Sequence, residues 1–138
     1  MAETKYGQYI IKDVIKESPN NANYMIMAHE GELKVDCSMG YHCVTKEILY
    51  DRPHAHDFTE VLCFLGTDPT DIRKLGAEVE ICLGEEGEKH VIDTAAVVAM
   101  PAGLIHCPLH IKNIKEPIVF LEITLTPEYG PPVARTPK

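Results

Sequence analysis

Two short histidine-containing patterns, well separated in the sequence, constrain the fold of this chain more than any other feature. The first is HxHxxxE, formed by His54, His56 and Glu60, and the second is PxGxxH, which ends at His106. In a shuffled chain of this composition the two patterns would occur together roughly once in a thousand times. Three imidazoles and one carboxylate suit a divalent transition metal, so a fold that brings these side chains together would create a metal site.

Shared coordination by these residues requires a turn inside the first pattern. An unbroken strand would carry Glu60 about 13 Å beyond His56, whereas the ligand atoms of one ion lie about 3 Å apart. The spacing therefore predicts that the chain turns at residues 57–59. Glu60 then begins a strand that ends at Leu65, before a glycine.

Most of the remaining chain has the pattern of short strands separated by turns. Apolar residues alternate with polar ones in several segments, which predicts strands with one buried face. The segment from Pro101 to Gly103 fits a type I turn with the glycine at its fourth position, after which His106 begins a strand. We predict one hairpin with strands at 24–28 and 33–39, a second with strands at 79–83 and 90–93, and further strands at 97–100 and 118–125. This succession is typical of an all-β sandwich or barrel.

One short helix is predicted between the two patterns. Asp68 suits the N-cap, Pro69 the first helical position and Gly76 the C-terminal exit, which together give about two turns. The segment from about 1 to 22 is predicted to be an N-terminal arm or strand. The Pro-rich segment from about 127 to 138 is predicted to be an extended arm or disordered. Without a visible linker or repeat, residues 1–138 are expected to form one domain.

Composition limits the partners and the compartment. The formal net charge is −8 and there is no cluster of Lys or Arg, which argues against nucleic acid and anionic membranes as partners. Five cysteines occur without any CxxC, and the chain shows neither a signal peptide nor an apolar segment of about 20 residues. We therefore expect a cytoplasmic protein that does not enter a membrane.

At the two patterns the chain resembles the cupin superfamily, whose members are small jelly-roll β-barrels. The likeness covers about 54–66 and 95–110. It implies a cupin-like jelly-roll barrel or sandwich in which His54, His56, Glu60 and His106 hold one metal ion. Because cupin-like chains commonly protect their sheet edges by pairing, it also implies a homodimer.

His110 is the candidate proton-transfer group beside the metal. It follows His106 by four residues, and on a regular strand the two side chains share a face. An imidazole there would serve as an acid or base. The alternative is a histidine at a strand end in solvent. Cys107 is predicted to point to the opposite face as a packed thiol.

Other residues are candidates for contacting a small-molecule substrate. Arg52 would anchor a carboxylate, although a solvated charge is the simpler interpretation. Tyr41, His42 and Tyr50 precede the first pattern and could project inward. Glu122 lies within an apolar run, so it either contributes to the cavity or faces water.

Such a site suggests a limited set of functions. Four protein ligands leave one or two coordination positions open for a small molecule. The chain is therefore predicted to be a metal-dependent enzyme acting on a small oxygen-bearing metabolite, either a dioxygenase or a redox-neutral isomerase, lyase or decarboxylase. The alternative is a non-catalytic module that binds a small molecule or a metal. The donors suit Fe, Mn, Ni, Co, Cu or Zn, and no organic cofactor is expected.

Overall fold

The computed structural model describes residues 4–19 and 24–129, in which almost all regular structure is β-strand. Within these ranges a 3-10 helix of one turn, Gly7–Tyr9, is the only helical element. The strands are β1 (Ile15–Glu17), β2 (Tyr24–Ala28), β3 (Ser38–Val44), β4 (Ile48–Tyr50), β5 (Glu60–Leu65), β6 (Lys74–Leu83), β7 (Glu88–Thr94), β8 (Ala96–Met100), β9 (His106–Lys112) and β10 (Ile118–Thr124).

The strands form two antiparallel sheets that enclose one core. The larger sheet has the order β1-β2-β3-β10-β5-β8, and the smaller has the order β4-β9-β6-β7. Phe64 and Phe120 of the larger sheet stack with ring centroids 5.1 Å apart, in the same buried cluster as Ile81 and Ile111 of the smaller sheet. Each such buried side chain contributes roughly 1.5–3 kcal/mol of hydrophobic free energy. The predicted all-β architecture is confirmed.

Most predicted strands form where the alternating pattern placed them. The strand predicted at Glu60–Leu65 is β5, and the second predicted hairpin is the antiparallel pair β6 and β7. The first predicted hairpin is the pair β2 and β3, but β3 begins only at Ser38. Val35 lies in the preceding loop and is 57% exposed, so the alternation of residues 33–37 does not correspond to a buried face.

The predicted helix between the two patterns is wrong. Residues 66–73 form two consecutive turns, in which Asp68 and Asp71 each accept a hydrogen bond from the backbone N–H two residues later. Ile72 is 87% exposed, so this segment has no apolar stripe that a helix would bury. Gly76 lies inside β6 rather than at a helix end.

The turn before β9 differs by one residue from the prediction. The Leu104 N–H donates to the Pro101 carbonyl at 3.2 Å, which places Gly103 third in the turn rather than fourth. Gly103 has φ +88°, the conformation that a type II turn requires at its third position. The Gly103 N–H also donates to the His56 carbonyl at 2.8 Å, which ties this turn to the first pattern.

The two terminal segments are described only in part. In the segment predicted as an N-terminal arm or strand, β1 pairs with β2. At the start of the Pro-rich segment, Glu128 forms an isolated antiparallel bridge with Glu30, and the Tyr129 N–H donates to the His29 carbonyl at 2.8 Å. Residues 1–3, 20–22 and 130–138 of the two predicted segments lie outside the described residues. Among the described residues, no helix has the length and apolar character needed to cross a lipid bilayer.

Candidate metal centre

The three histidines of the two patterns meet in the structure. His54 and His106 form an antiparallel bridge in which each N–H donates to the other's carbonyl, at 3.0 and 2.8 Å. One side-chain nitrogen from each of His54, His56 and His106 lies within 4.8 Å of the others. His56 and His106 are buried and His54 is half-buried.

The predicted turn at residues 57–59 makes this convergence possible. His54 is bridged to the first residue of β9, in the smaller sheet, whereas Glu60 begins β5 in the larger sheet. The chain therefore crosses from one sheet to the other within the first pattern. As a result, Glu60 Oε1 lies 3.5 Å from Nε2 of His106.

Backbone carbonyls orient two of the three imidazoles. Nδ1 of His54 lies 2.8 Å from the Arg52 carbonyl, and Nδ1 of His106 lies 3.0 Å from the Leu104 carbonyl. Because a carbonyl can only accept, each Nδ1 carries a proton, and Nε2 is the atom that the neutral imidazole would offer to a metal. Metal-ligating histidines are typically held in this way.

Three buried atoms of the site that could bind a metal have no hydrogen-bond partner. They are Nδ1 of His56, Nε2 of His106 and Oε2 of Glu60. The remaining nitrogen of His56 lies 3.0 Å from the Tyr129 hydroxyl. Buried polar atoms are almost always paired, so unpaired lone pairs on three neighbouring residues fit a bound cation.

The electrostatics of the metal-free site agree with this interpretation. Burial, reinforced by the charge of Glu122, raises the pKa of Glu60 to about 8, although a hydrogen bond from Tyr129 partly opposes the shift. Burial and the neighbouring imidazoles of His106 and His54 lower the pKa of His56 to about 4. A divalent cation would instead favour ionised Glu60 and neutral imidazoles, which are the ligand forms of both groups.

The site opens into a cavity of about 270 Å³ between the two sheets. None of the described residues that line it is Lys or Arg. Its walls are largely apolar and include Met25, Met27, Tyr50, Leu62, Leu109 and Phe120. A few polar groups that converge in an apolar pocket are typical of small-molecule sites.

The predicted substrate-contacting residues divide between the cavity and the surface. Glu122, His42 and Tyr50 line the cavity. Tyr41 does not, because β3 alternates and buries His42 on one face while Tyr41 lies on the other. Arg52 is exposed and is also absent from the cavity lining.

The expected orientation of His110 is wrong. Between Ile81 and Leu83 of β6, the partner positions on β9 run from Leu109 to His106, so β9 contains one extra residue. This β-bulge reverses the alternation of side chains. His110 therefore lies on the outer face, where its Nε2 is 2.7 Å from Oε1 of Glu47.

The same bulge places Cys107 beside His106 instead of opposite to it. Both residues line the cavity, and Cys107 has φ +81°. Burial, together with the nearby carboxylate of Glu60 and the thiol of Cys82, raises the pKa of Cys107 to about 12. Cys107 is thus a packed, protonated thiol, as predicted, although on the other face.

Two residues with polar side chains in the cavity, His29 and Tyr129, were not among the predicted site residues. His29 lies in the loop after β2, and its ring stacks on that of Tyr129 with centroids 4.5 Å apart. Tyr129 belongs to the segment predicted as an extended arm or disordered. Both reach the cavity through contacts between distant segments, for which the sequence contains no local signal.

Comparisons with known proteins support the fold. No family model and no curated protein matches this chain. Oxalate decarboxylase from Bacillus subtilis, a protein with Mn(II) centres, matches with a TM-score of 0.55 and 15% identity, over 84% of this chain and 28% of that chain. Oxalate oxidase in complex with glycolate matches with a TM-score of 0.53 and 15% identity, over 82% of this chain and 55% of that chain. This chain thus spans about a quarter to about half of those proteins.

At this level of identity the comparison shows the fold alone. It agrees with the two antiparallel sheets of this chain. The chain therefore shares its double-sheet β fold with these proteins, which is the kind of fold that the resemblance at its histidine patterns implied.

Proposed function

We propose that this chain is a metal-dependent enzyme that acts on a small oxygen-bearing metabolite. His54, His56, His106 and Glu60 would hold one divalent transition metal. The observation that carries the proposal is the set of unpaired ligand atoms on buried residues, gathered at the mouth of an apolar cavity. A site that served only to stabilise the fold would not need that cavity, and a chain of this length needs no metal staple.

The protein's own contribution is orientation and the exclusion of water. The carbonyls of Arg52 and Leu104 hold two imidazoles in fixed orientations. The apolar walls provide a dry environment in which a polar group of the substrate interacts strongly with the site. When bound, a divalent metal would polarise a carbonyl or enol oxygen of the substrate, or activate dioxygen if it is iron.

Two reaction classes fit this site. One is oxygen-dependent cleavage, and the other is redox-neutral isomerisation, elimination or decarboxylation. The fold neighbours are an oxalate decarboxylase and an oxalate oxidase, so both kinds of chemistry occur on this fold. Because the fold does not determine the reaction, the cavity of this chain must define its substrate.

The first experiment measures metal binding and oxygen use by the purified protein. We expect about one equivalent of a divalent transition metal by elemental analysis, and its loss in the variant His106→Ala. The variant His90→Ala is the matched control, because His90 lies on the surface beside Glu88 and should leave the metal content unchanged. Full metal content in His106→Ala would contradict the proposal.

The iron form is then supplied with a panel of hydroxy-ketones, enols and hydroxy acids. Oxygen consumption would assign the dioxygenase class, and product formation without it the redox-neutral class. A protein that binds the metal and these compounds but changes none of them would be the non-catalytic module.

Homodimer formation also stays a prediction, and the outer face of the larger sheet supports it. Ile15, Ile26 and Tyr41 lie in one row across β1, β2 and β3, and Ile15 and Ile26 are 62% and 40% exposed. A second copy would cover this apolar row. Light scattering should give twice the 15.4 kDa mass of one chain, and Ile26→Lys should lower it.

A further inference from the structure

A second polar cluster lies in the same cavity, away from the proposed metal ligands. It consists of Glu122 on β10, His42 on β3 and His29 after β2. Nε2 of each imidazole lies 3.4 Å from Oε1 of Glu122. His42 makes this contact as a hydrogen bond, whereas His29 lies close enough for an ion pair but without hydrogen-bond geometry.

The carboxylate of this cluster is fixed and charged. The Glu122 side chain is 14% exposed. Burial alone would raise its pKa, but the contacts with His29 and His42 outweigh burial and hold the pKa at about 2. At neutral pH, Glu122 is therefore a weak base and a strong acceptor of hydrogen bonds.

The neighbouring strand leaves space for this side chain. Gly40 is the residue on β3 that pairs with Glu122. A Cβ atom on Gly40 would lie 2.5 Å from Oε1 and 3.0 Å from Cγ of Glu122. Glycine weakens the interior of a strand, and in sheets it often marks a close approach. Here it accommodates the carboxylate.

The cluster lies within reach of a small ligand bound at the histidine triad. Glu122 pairs with Leu62 of β5, and Glu60 precedes Leu62 by two residues on the same face. Diagonal neighbours of this kind are about 7–8 Å apart. A compact molecule with one end at the triad can therefore reach Glu122 with its other end, in a cavity that Leu62 and Met27 also line.

We infer that Glu122, held by His29 and His42, determines the substrate class by accepting a hydrogen bond from a hydroxyl group at the far end of the ligand. The inference rests on the proposed function and defines it further. A ligand with a second carboxylate at that end would be disfavoured, because like charges across an interface repel and no described Lys or Arg lines the cavity. The substrate class is thus a hydroxy-ketone or enol with an apolar body and a distal hydroxyl, rather than a dicarboxylate.

Three 5-hydroxy-4-pyranones test this selectivity. Allomaltol, kojic acid and comenic acid share one metal-chelating head and carry a methyl, a hydroxymethyl and a carboxylate group at C2. Their Kd values are measured by calorimetry with the zinc-loaded protein. We expect kojic acid to bind about tenfold or more tightly than comenic acid, so that the ratio of the comenic acid Kd to the kojic acid Kd is about ten or more. The variant Glu122→Gln should lower this Kd ratio about tenfold, because a neutral amide no longer repels the carboxylate. Any difference in how strongly the three compounds chelate zinc cancels when the Kd ratio of the wild type is compared with that of Glu122→Gln.

Two further variants separate selectivity from stability. Gly40→Ala should also lower the ratio, because the added methyl group displaces the carboxylate without removing it. Glu47→Gln is the matched control, since Glu47 makes the same kind of pair with His110 outside the cavity. A purely structural role of Glu122 would weaken the binding of all three probes alike.

The outcomes distinguish the inference from the function on which it rests. If the wild type binds zinc and allomaltol, but neither Glu122→Gln nor Gly40→Ala changes the ratio, only the inference is overturned. If the wild type binds no metal, the proposed function fails and the inference fails with it. A lower ratio in both variants, with zinc content unchanged, supports both.

Discussion

His106 and His110 lie on the same strand and each has a glutamate nearby, yet their surroundings differ. His106 is 4% exposed, its Nδ1 donates to the Leu104 carbonyl, and its Nε2 has no partner. His110 is on the outer face, and its Nε2 lies 2.7 Å from Oε1 of Glu47 in solvent. The surface pair is closer than the 3.5 Å between His106 and Glu60. A short distance to a carboxylate therefore does not distinguish a candidate ligand, whereas convergence with the two other buried or half-buried imidazoles does.

The largest expected effect concerns metal affinity. His106→Ala removes one of three clustered imidazoles and should weaken metal binding by at least about a hundredfold, or about 2.7 kcal/mol. His110→Ala removes an imidazole that is already paired and lies outside the cavity, so it should leave the affinity unchanged. Titration against a chelator of known affinity measures both. Equal losses of metal affinity in His106→Ala and His110→Ala would show that the bulge in β9 does not give the two histidines different roles.

The next effect concerns the pH dependence of stability in the metal-free protein. Glu60 has a pKa of about 8 when folded and about 4.5 when unfolded, so the folded state binds the proton more tightly. The stability that this provides is complete below pH 4.5 and is lost as the pH rises to about 8. His56 acts in the opposite direction, but only below pH 6.5. Between pH 6.5 and 8 the free energy of unfolding should therefore fall, by at most about 2 kcal/mol.

Urea unfolding in the presence of a chelator tests this dependence. Glu60→Gln should flatten it, because an amide does not titrate. Glu47→Gln, which alters an exposed carboxylate beside the other histidine, should retain it. A steep decline that persists in Glu60→Gln would assign the effect to a different group. Addition of metal to the wild type should also remove the decline, since a bound cation keeps Glu60 ionised.

The same comparison shows what the sequence can reveal. The two patterns correctly indicated that His54, His56 and His106 converge, because ligand spacing and the need for a turn at 57–59 are local properties of the chain. The strand from Glu60 was also predicted correctly, because its alternation coincides with burial. The turn and the strand depend on residues close to one another in sequence, whereas the convergence of the two distant patterns was inferred from their complementary ligand types.

Features that depend on irregular backbone or on distant contacts could not be predicted. The bulge in β9 reversed the faces of Cys107 and His110, and Pro108 inside the strand is its one sequence signal, because prolines within sheets occur at edges or bulges. His29 and Tyr129 reach the cavity only because segments from opposite ends of the chain stack there. The helix predicted after Asp68 is a turn instead, because an Asp side chain can cap a turn as effectively as a helix. Only the burial of the following residues distinguishes a turn from a helix here.

The smallest expected effect comes from the surface pair itself. The side chains of His110 and Glu47 are 27% and 64% exposed, so water screens their attraction and both lose side-chain entropy when they pair. A double-mutant cycle with His110→Ala and Glu47→Gln should give a coupling energy below about 1 kcal/mol, measured by urea unfolding at pH 6. A coupling above that limit would mean that Glu47 supports β9 structurally, and it could then no longer serve as a neutral control. A weak coupling at 2.7 Å, beside a large effect at His106, would show that burial rather than proximity gives the histidines of this strand their different roles.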